Sequence, residues 1–249
     1  MPLNNQWKVP PQEPFLANNE VHVWCATLDQ PLARQTQLEK ILSSDEYSRA
    51  KRFRFEDGRR HFIAGRALLR VLLGRYLHSA PERIQFAYTT NGKPFLVLQG
   101  HTQGIEFNVS HSHTLALYAF VQHHAVGVDI EYMHTLPDAD AIVDHFFSVQ
   151  EQRVFHALPT EQQLAAFFAG WTRKEAYLKA CGDGLMVPLS QFEVSLAPEE
   201  AARILAIEGD VSKADGWFLH DLAIPDAMYK AAVVLKGNKQ WQIKYWLYE

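Results

Sequence analysis

Val126-Gly127-Val128-Asp129-Ile130-Glu131 alternates in character with the period of a β-strand, so Val126, Val128 and Ile130 face a core while Gly127, Asp129 and Glu131 face the other way. Two carboxylates then stand side by side. Like charges at that spacing raise each other's pKa and cost free energy unless something positive sits between them. Magnesium answers that need, because it prefers oxygen and is commonly held by one or two carboxylates plus substrate phosphates. Gly127, on the acidic side, leaves that surface open to whatever the carboxylates hold. From these six residues alone, the competing reading is a solvent-facing strand kept soluble by its charges.

Working outward, residues 105–109 and 115–121 read as two more short strands, close enough to 126–131 to suggest a meander. On the other side, residues 161–180 carry a helical pattern that stops at Gly182-Asp183-Gly184, where glycine can take the left-handed cap conformation. Trp171, Glu175 and Lys179 recur every four residues and share one face of that helix. Glu175 can therefore complete a three-carboxylate site with Asp129 and Glu131, and Lys179, one turn on, can meet a phosphate. The competing reading is an exposed Glu-to-Lys ion pair worth ~0.3 kcal/mol.

Further out, residues 21–28 read as a strand, and Ser43 and Glu46 have the spacing of a capping box. Residues 59–77 are helical, with Phe62, Leu68, Leu69, Leu72, Leu73 and Tyr76 on a broad apolar face. Asn91-Gly92 marks a turn, and residues 229–235 and 241–247 are later strands. A long helix with strands occurs on each side of residue 125, which suggests two similar halves.

With 249 residues, 47% of them hydrophobic, the chain can bury one large core or two small ones. Its 24 basic and 28 acidic residues are too balanced to mark nucleic acid or a membrane surface as the main partner. Cys25 and Cys181 are far apart, which points away from a disulfide framework or thiolate zinc site and toward a reduced, cytoplasmic setting. Residues 1–20 do not read as a signal peptide, and the apolar run 115–121 is too short to cross a bilayer. His111, His113, His123 and His124 lie near one another, but no second ligand set accompanies them, so zinc is discounted.

Gly127-Val128-Asp129-Ile130-Glu131, followed 44 positions later by Glu175 within Trp171-Thr172-Arg173-Lys174-Glu175-Ala176-Tyr177-Leu178-Lys179, resembles the paired signature of the 4′-phosphopantetheinyl transferase superfamily. Phe146-Phe147-Ser148 and Glu151 also match its pattern, and the length is similar to its larger, monomeric, surfactin-synthetase-activating type. The resemblance implies an α+β fold of two similar α/β halves in a pseudo-twofold arrangement. Residues 1–124 would bind coenzyme A, residues 125–249 would carry magnesium and catalysis, and the substrate would lie in the cleft between them. The implied reaction moves the 4′-phosphopantetheine arm of coenzyme A onto a serine of an apo acyl or peptidyl carrier protein, releasing adenosine 3′,5′-bisphosphate. Asp129, Glu131 and Glu175 would hold Mg2+, and Lys179 would hold the transferred phosphate. Glu175, directly or through a metal-bound water, would take the serine proton, with Lys179 as the other candidate base.

The same resemblance extends to the coenzyme side. Gly92-Lys93-Pro94 is similar to a family segment whose lysine contacts coenzyme A, and Phe107-Asn108-Val109-Ser110-His111-Ser112 to one implying that Ser110 and His111 bind its phosphates. Arg49, in Arg49-Ala50-Lys51-Arg52-Phe53, stands at the position of a 3′-phosphate contact. Glu46 stands where some relatives carry a basic residue, and Phe62 and Tyr88 replace polar coenzyme contacts. Carriers of this kind are usually acidic, so a mixed apolar and basic rim is expected, with Phe146, Phe147 and Phe155 as candidates. Two other readings stay open: a non-catalytic protein that binds coenzyme A or carriers, and a metal-dependent phosphohydrolase.

Overall fold

The computed structural model describes residues 6–90, 92–97, 104–182, 187–198, 200–237 and 240–248. Asn91 and Asp183-Gly184, expected in turns, lie outside them. In chain order the first elements are strands β1 (Trp7–Lys8) and β2 (Glu20–Thr27), helices α1 (Leu32–Glu39), α2 (Ser44–Ala50) and α3 (Glu56–Leu77), and strands β3 (Phe86–Tyr88), β4 (Pro94–Leu96), β5 (Ile105–Ser112) and β6 (Leu115–Gln122). Then come β7 (Val126–Tyr132), α4 (Ala139–Phe146), α5 (Val149–Ala157), α6 (Thr160–Cys181), β8 (Phe192–Val194), β9 (Ile204–Ile207), β10 (Trp217–Asp221), β11 (Tyr229–Lys236) and β12 (Gln242–Tyr248).

The fold is α+β, and one order of elements occurs twice. A strand (β2 or β7) is followed by two short helices, a 22-residue helix, a two-stranded ribbon and an antiparallel pair. The second strand of that pair returns beside the first strand, giving the orders β2-β6-β5 and β7-β11-β10. Strand β12 then crosses back to pair in parallel with β2, and β1 adds in parallel to its outer edge.

The expected meander breaks at β7. Both edges of β6 are already taken, by β2 and β5, so β7 has no place beside it and pairs with β11 instead. Four layers result. Helix α3 covers one face of the five-stranded sheet, packing Leu68, Leu69 and Leu72 near Trp24, Tyr118 and Phe120. The other face, through Val21, Val23, Leu117 and Val121, packs on Val128, Ile130, Val233 and Leu235 of the three-stranded sheet. Helix α6 covers the far side, where Ala176 and Ala180 share a core with Ala232 and Val234. The alternation of β7 thus resolves as expected: valines and isoleucine to the sheet interface, Gly127, Asp129 and Glu131 toward α6.

Candidate active site

Strand β7 is an edge strand, and side chains of β5 cover that edge. Asn108 Oδ1 accepts a hydrogen bond from the Val128 amide at 2.9 Å, and Ser112 Oγ accepts one from the Tyr132 amide at 3.0 Å. These bonds satisfy backbone donors that an edge leaves unpaired. They also bring Ser110, between them on the same face of β5, against Asp129.

Asp129 is 3% exposed. Its Oδ1 accepts from Ser110 Oγ at 2.8 Å and from Lys179 Nζ at 2.6 Å, while Lys179 Nζ also donates to Ser110 Oγ at 3.0 Å. Burial pushes the Asp129 carboxyl above its ordinary range, although Lys179 and Ser110 pull it down. Glu131 accepts from Ser112 Oγ at 2.8 Å, and burial, aided by the charge of Asp129, raises it as well. Glu175 is raised by burial and by the charges of Asp129 and Glu131, with Lys179 acting in the opposite sense. The structure therefore brings Asp129, Glu131, Glu175, Lys179 and Ser110 into one electrostatic neighbourhood.

Among the described residues, no three His, Cys, Asp or Glu side chains stand together as a finished ligand set. Ser110 and Lys179 hold one oxygen of Asp129, and Ser112 holds Glu131. The other oxygen of Asp129, Oδ2, is buried without a hydrogen-bond partner. Leaving such an atom unsatisfied costs ~1–3 kcal/mol or more. Asp129, Glu131 and Glu175 all offer oxygen, the donor chemistry of a hard divalent cation such as Mg2+, and Asp129 Oδ2 is the atom left without a partner.

Gly127 is not left open, as the sequence suggested. A Cβ at this position would overlap the carbonyl oxygen of Ala176 and the amide nitrogen of Ala180. The helix backbone fills the space and rests directly on the strand. That seating carries Glu175 and Lys179, on the flank of α6 beside Ala176 and Ala180, to the acidic side of β7.

Other expected residues fall into place unevenly. Lys93 Nζ donates to the Lys179 carbonyl oxygen at 2.7 Å, so this lysine also reaches the site. His111 lies at the surface end of β5; partial desolvation and the charges of Lys179 and His61 hold it below the usual histidine range. Arg49 is exposed on α2 with its guanidinium 5.3 Å from the Phe62 ring centroid, and it makes no hydrogen bond to the carboxylate cluster. Glu46 is buried and paired with Arg66 at 2.8 Å and Arg70 at 2.7 Å, and it closes the capping box by accepting from the Ser43 amide. Tyr88 accepts a hydrogen bond from Arg66. Phe147 and Phe155 are fully buried in the core under α6 and cannot form a docking rim, whereas Phe146 is 40% exposed.

Two supports of the site escaped sequence reasoning. Lys174, next to Glu175, is wholly buried, with Nζ bonded to Glu151 Oε2 at 2.8 Å and to the Leu189 and Phe192 carbonyls at 2.7 Å each. Glu151 also accepts from the Ser148 and Val194 amides at 2.8 Å, which ties α5, α6 and β8 together. Arg173 anchors the same helix, donating from Nε to Asp221 Oδ1 at 2.9 Å and from Nη1 to the Ser195 carbonyl. The three-residue spacing of Ser148 and Glu151 was a usable signal for the capping box. Nothing local pointed to Lys174.

A family model described as the 4′-phosphopantetheinyl transferase superfamily matches residues 125–234, and one described as 4′-phosphopantetheinyl transferase, N-terminal, matches residues 30–123. The chain is 40% identical over 246 residues to the 4′-phosphopantetheinyl transferase HetI of a Nostoc species, covering 99% of this chain and 100% of that one. It is 28% identical over 171 residues to the 4′-phosphopantetheinyl transferase Sfp of Bacillus subtilis, covering 68% and 74%. Among solved structures, holo-[acyl-carrier-protein] synthase of Thermotoga maritima aligns over 46% of this chain and 64% of its own, at 18% identity and a TM-score of 0.36.

Proposed function

This chain belongs to the 4′-phosphopantetheinyl transferase superfamily, and we propose that it transfers the 4′-phosphopantetheine arm of coenzyme A to a serine hydroxyl of an apo acyl or peptidyl carrier protein. The observation that carries this reading is the buried carboxylate Asp129, held by Ser110 from one half and Lys179 from the other, with one oxygen left over. The serine oxygen attacks the β-phosphorus of coenzyme A, the bond to the adenosine 3′,5′-bisphosphate oxygen breaks, and the serine proton must be taken up. Little of this requires covalent chemistry from the protein; alignment and charge stabilisation do most of it.

Glu175 is the group we assign to the proton. It stands beside the charges of Asp129, Glu131 and Lys179, where the serine proton would be released, and would take it directly or through a metal-bound water. Lys179 is the second candidate, and its ammonium is the natural partner of the transferred phosphate. Asp129, Glu131 and Glu175 would hold Mg2+, which when bound supplies charge neutralisation for the diphosphate. On the coenzyme side, Lys93, Ser110 and His111 are assigned to coenzyme A, and Arg49 on α2 to its 3′-phosphate. The division of labour is coenzyme A binding by residues 1–124 and catalysis by residues 125–249, in a cytoplasmic monomer. Among the described residues, no helix is long and apolar enough to cross a membrane.

Chromatographic release of adenosine 3′,5′-bisphosphate from coenzyme A, with and without an apo-carrier, tests the reaction class. Release that requires the carrier and matches it in amount is expected. Equal release without a carrier would instead identify water as the acceptor and make the protein a phosphohydrolase.

A further inference from the structure

Helix α6 ends at Cys181, and a helix leaves the carbonyls of its last turn in need of partners from outside its own ladder. One of them, that of Lys179, receives the Lys93 ammonium at 2.7 Å. A cation at this end also opposes the negative pole of the helix. The lysine comes from the other half of the chain, and its backbone is held there. Thr89 and Lys93 close a turn, with the Thr89 amide donating to the Lys93 carbonyl at 3.0 Å and Gly92 supplying a φ of 80°. The ribbon carrying that turn is pinned to the first half by Phe86, whose ring lies 5.9 Å from Phe107 and 4.8 Å from the Arg66 guanidinium.

Lys179 is therefore gripped twice: its carbonyl by Lys93, its ammonium by Asp129 and Ser110. We propose that Lys93 is a positioning residue, whose ammonium fixes the last turn of α6 and thereby the reach of Lys179 to the carboxylate cluster. The kinetic part of this inference rests on the transfer reading; the structural part does not. If the last turn frays, Lys179 drifts on its four-carbon stem, and a misplacement of about 1 Å in such a site can cost ~100-fold in rate.

Hydrogen exchange read by mass spectrometry on the coenzyme-free Lys93→Met protein tests the tie directly. The amides of residues 178–182 are expected to exchange about tenfold faster than in the unaltered protein, with residues 164–172 of the same helix unchanged. At saturating coenzyme A, kcat is expected to fall about tenfold or more. Unchanged exchange in the last turn would overturn the inference, as would an even rise along all of α6. So would a normal kcat with only the KM for coenzyme A raised, which marks an ammonium that serves the substrate alone. Exchange is measured without substrate, so an unaltered protein that proved unable to transfer would sink the proposed function and leave the exchange result standing.

Discussion

Gly127 lies directly against Ala176: the strand carries no side chain where the helix carbonyl comes to rest, and the next turn, from Lys179 to Ala180, covers the same spot. Lys179 meets Asp129, and Glu175 comes within reach of its charge, because two backbones approach this closely. The proposed catalytic arrangement depends on an absent Cβ as much as on the carboxylates.

Gly127→Ala is accordingly expected to lift α6 from β7. Because the overlapping atoms are backbone and cannot rotate away, the cost is about 3 kcal/mol or more. Thermal unfolding should register the loss. Transfer should fall further than the folded fraction does, since the surviving folded molecules hold Glu175 and Lys179 out of place.

Asp129→Asn keeps the shape of the site and removes its charge. Transfer is expected to drop about 1,000-fold with coenzyme A and carrier both saturating. Folding should be nearly untouched, because burial already penalises the charged form of this carboxyl. Steady-state kinetics beside a melting curve separate the two effects.

The raised carboxyls give stability a pH dependence. Asp129, Glu131 and Glu175 each hold protons more tightly folded than unfolded. Their contribution is therefore fully present below an ordinary carboxylate pKa of about 4 and is lost as pH climbs through the raised values. A divalent cation should restore it, so the rise in Tm on adding Mg2+ is expected to be larger at pH 8 than at pH 5. In Asp129→Asn that increment should shrink to a small fraction.

His22 works in the opposite sense. Buried between the Tyr76 hydroxyl, at 2.8 Å, and the Glu20 carboxylate, at 3.3 Å, it is held below the usual histidine pKa by desolvation, partly offset by Glu20. The unfolded chain takes up a proton near pH 6.5 that the folded one resists, so stability is present above that pH and falls as pH drops below it. His22→Gln should be less stable at pH 8 yet show a flatter decline in Tm from pH 7 to 5.

Lys174 and Glu151 form a buried pair inside the second core. Removing one partner strands the other, at a cost of about 3–5 kcal/mol, and Glu151→Ala also unseats the start of α5. The double variant Glu151→Leu with Lys174→Met should unfold at a higher temperature than Glu151→Ala. Calorimetric melting of the variants would show the order.

What could be read beforehand followed from local periodicity. Strand β7 alternates every residue and the active face of α6 repeats every four, so the directions of Asp129, Glu131, Glu175 and Lys179 were legible without knowing their neighbours. Gly127 was misread because its use is a contact with a helix that begins more than thirty residues later. The burial of Lys174 was hidden for a related reason: its partners are a carboxylate on α5 and two carbonyls downstream, none of which lies at helical spacing. The return of β12 to β2 joins the two ends of the chain in parallel, and no short-range pattern specifies such a pairing. Phe147 and Phe155 were offered to a partner surface although the core took them, the more frequent fate of phenylalanine.

The most direct measurement is the intact mass of an apo-carrier protein incubated with coenzyme A and Mg2+, run with the unaltered enzyme, with Glu175→Gln and with a chelator. A gain of one phosphopantetheine on the carrier, seen with the unaltered enzyme alone, is the expected result. An equal gain with Glu175→Gln and in the chelator would contradict a transfer site built from Asp129, Glu131, Glu175 and a divalent ion.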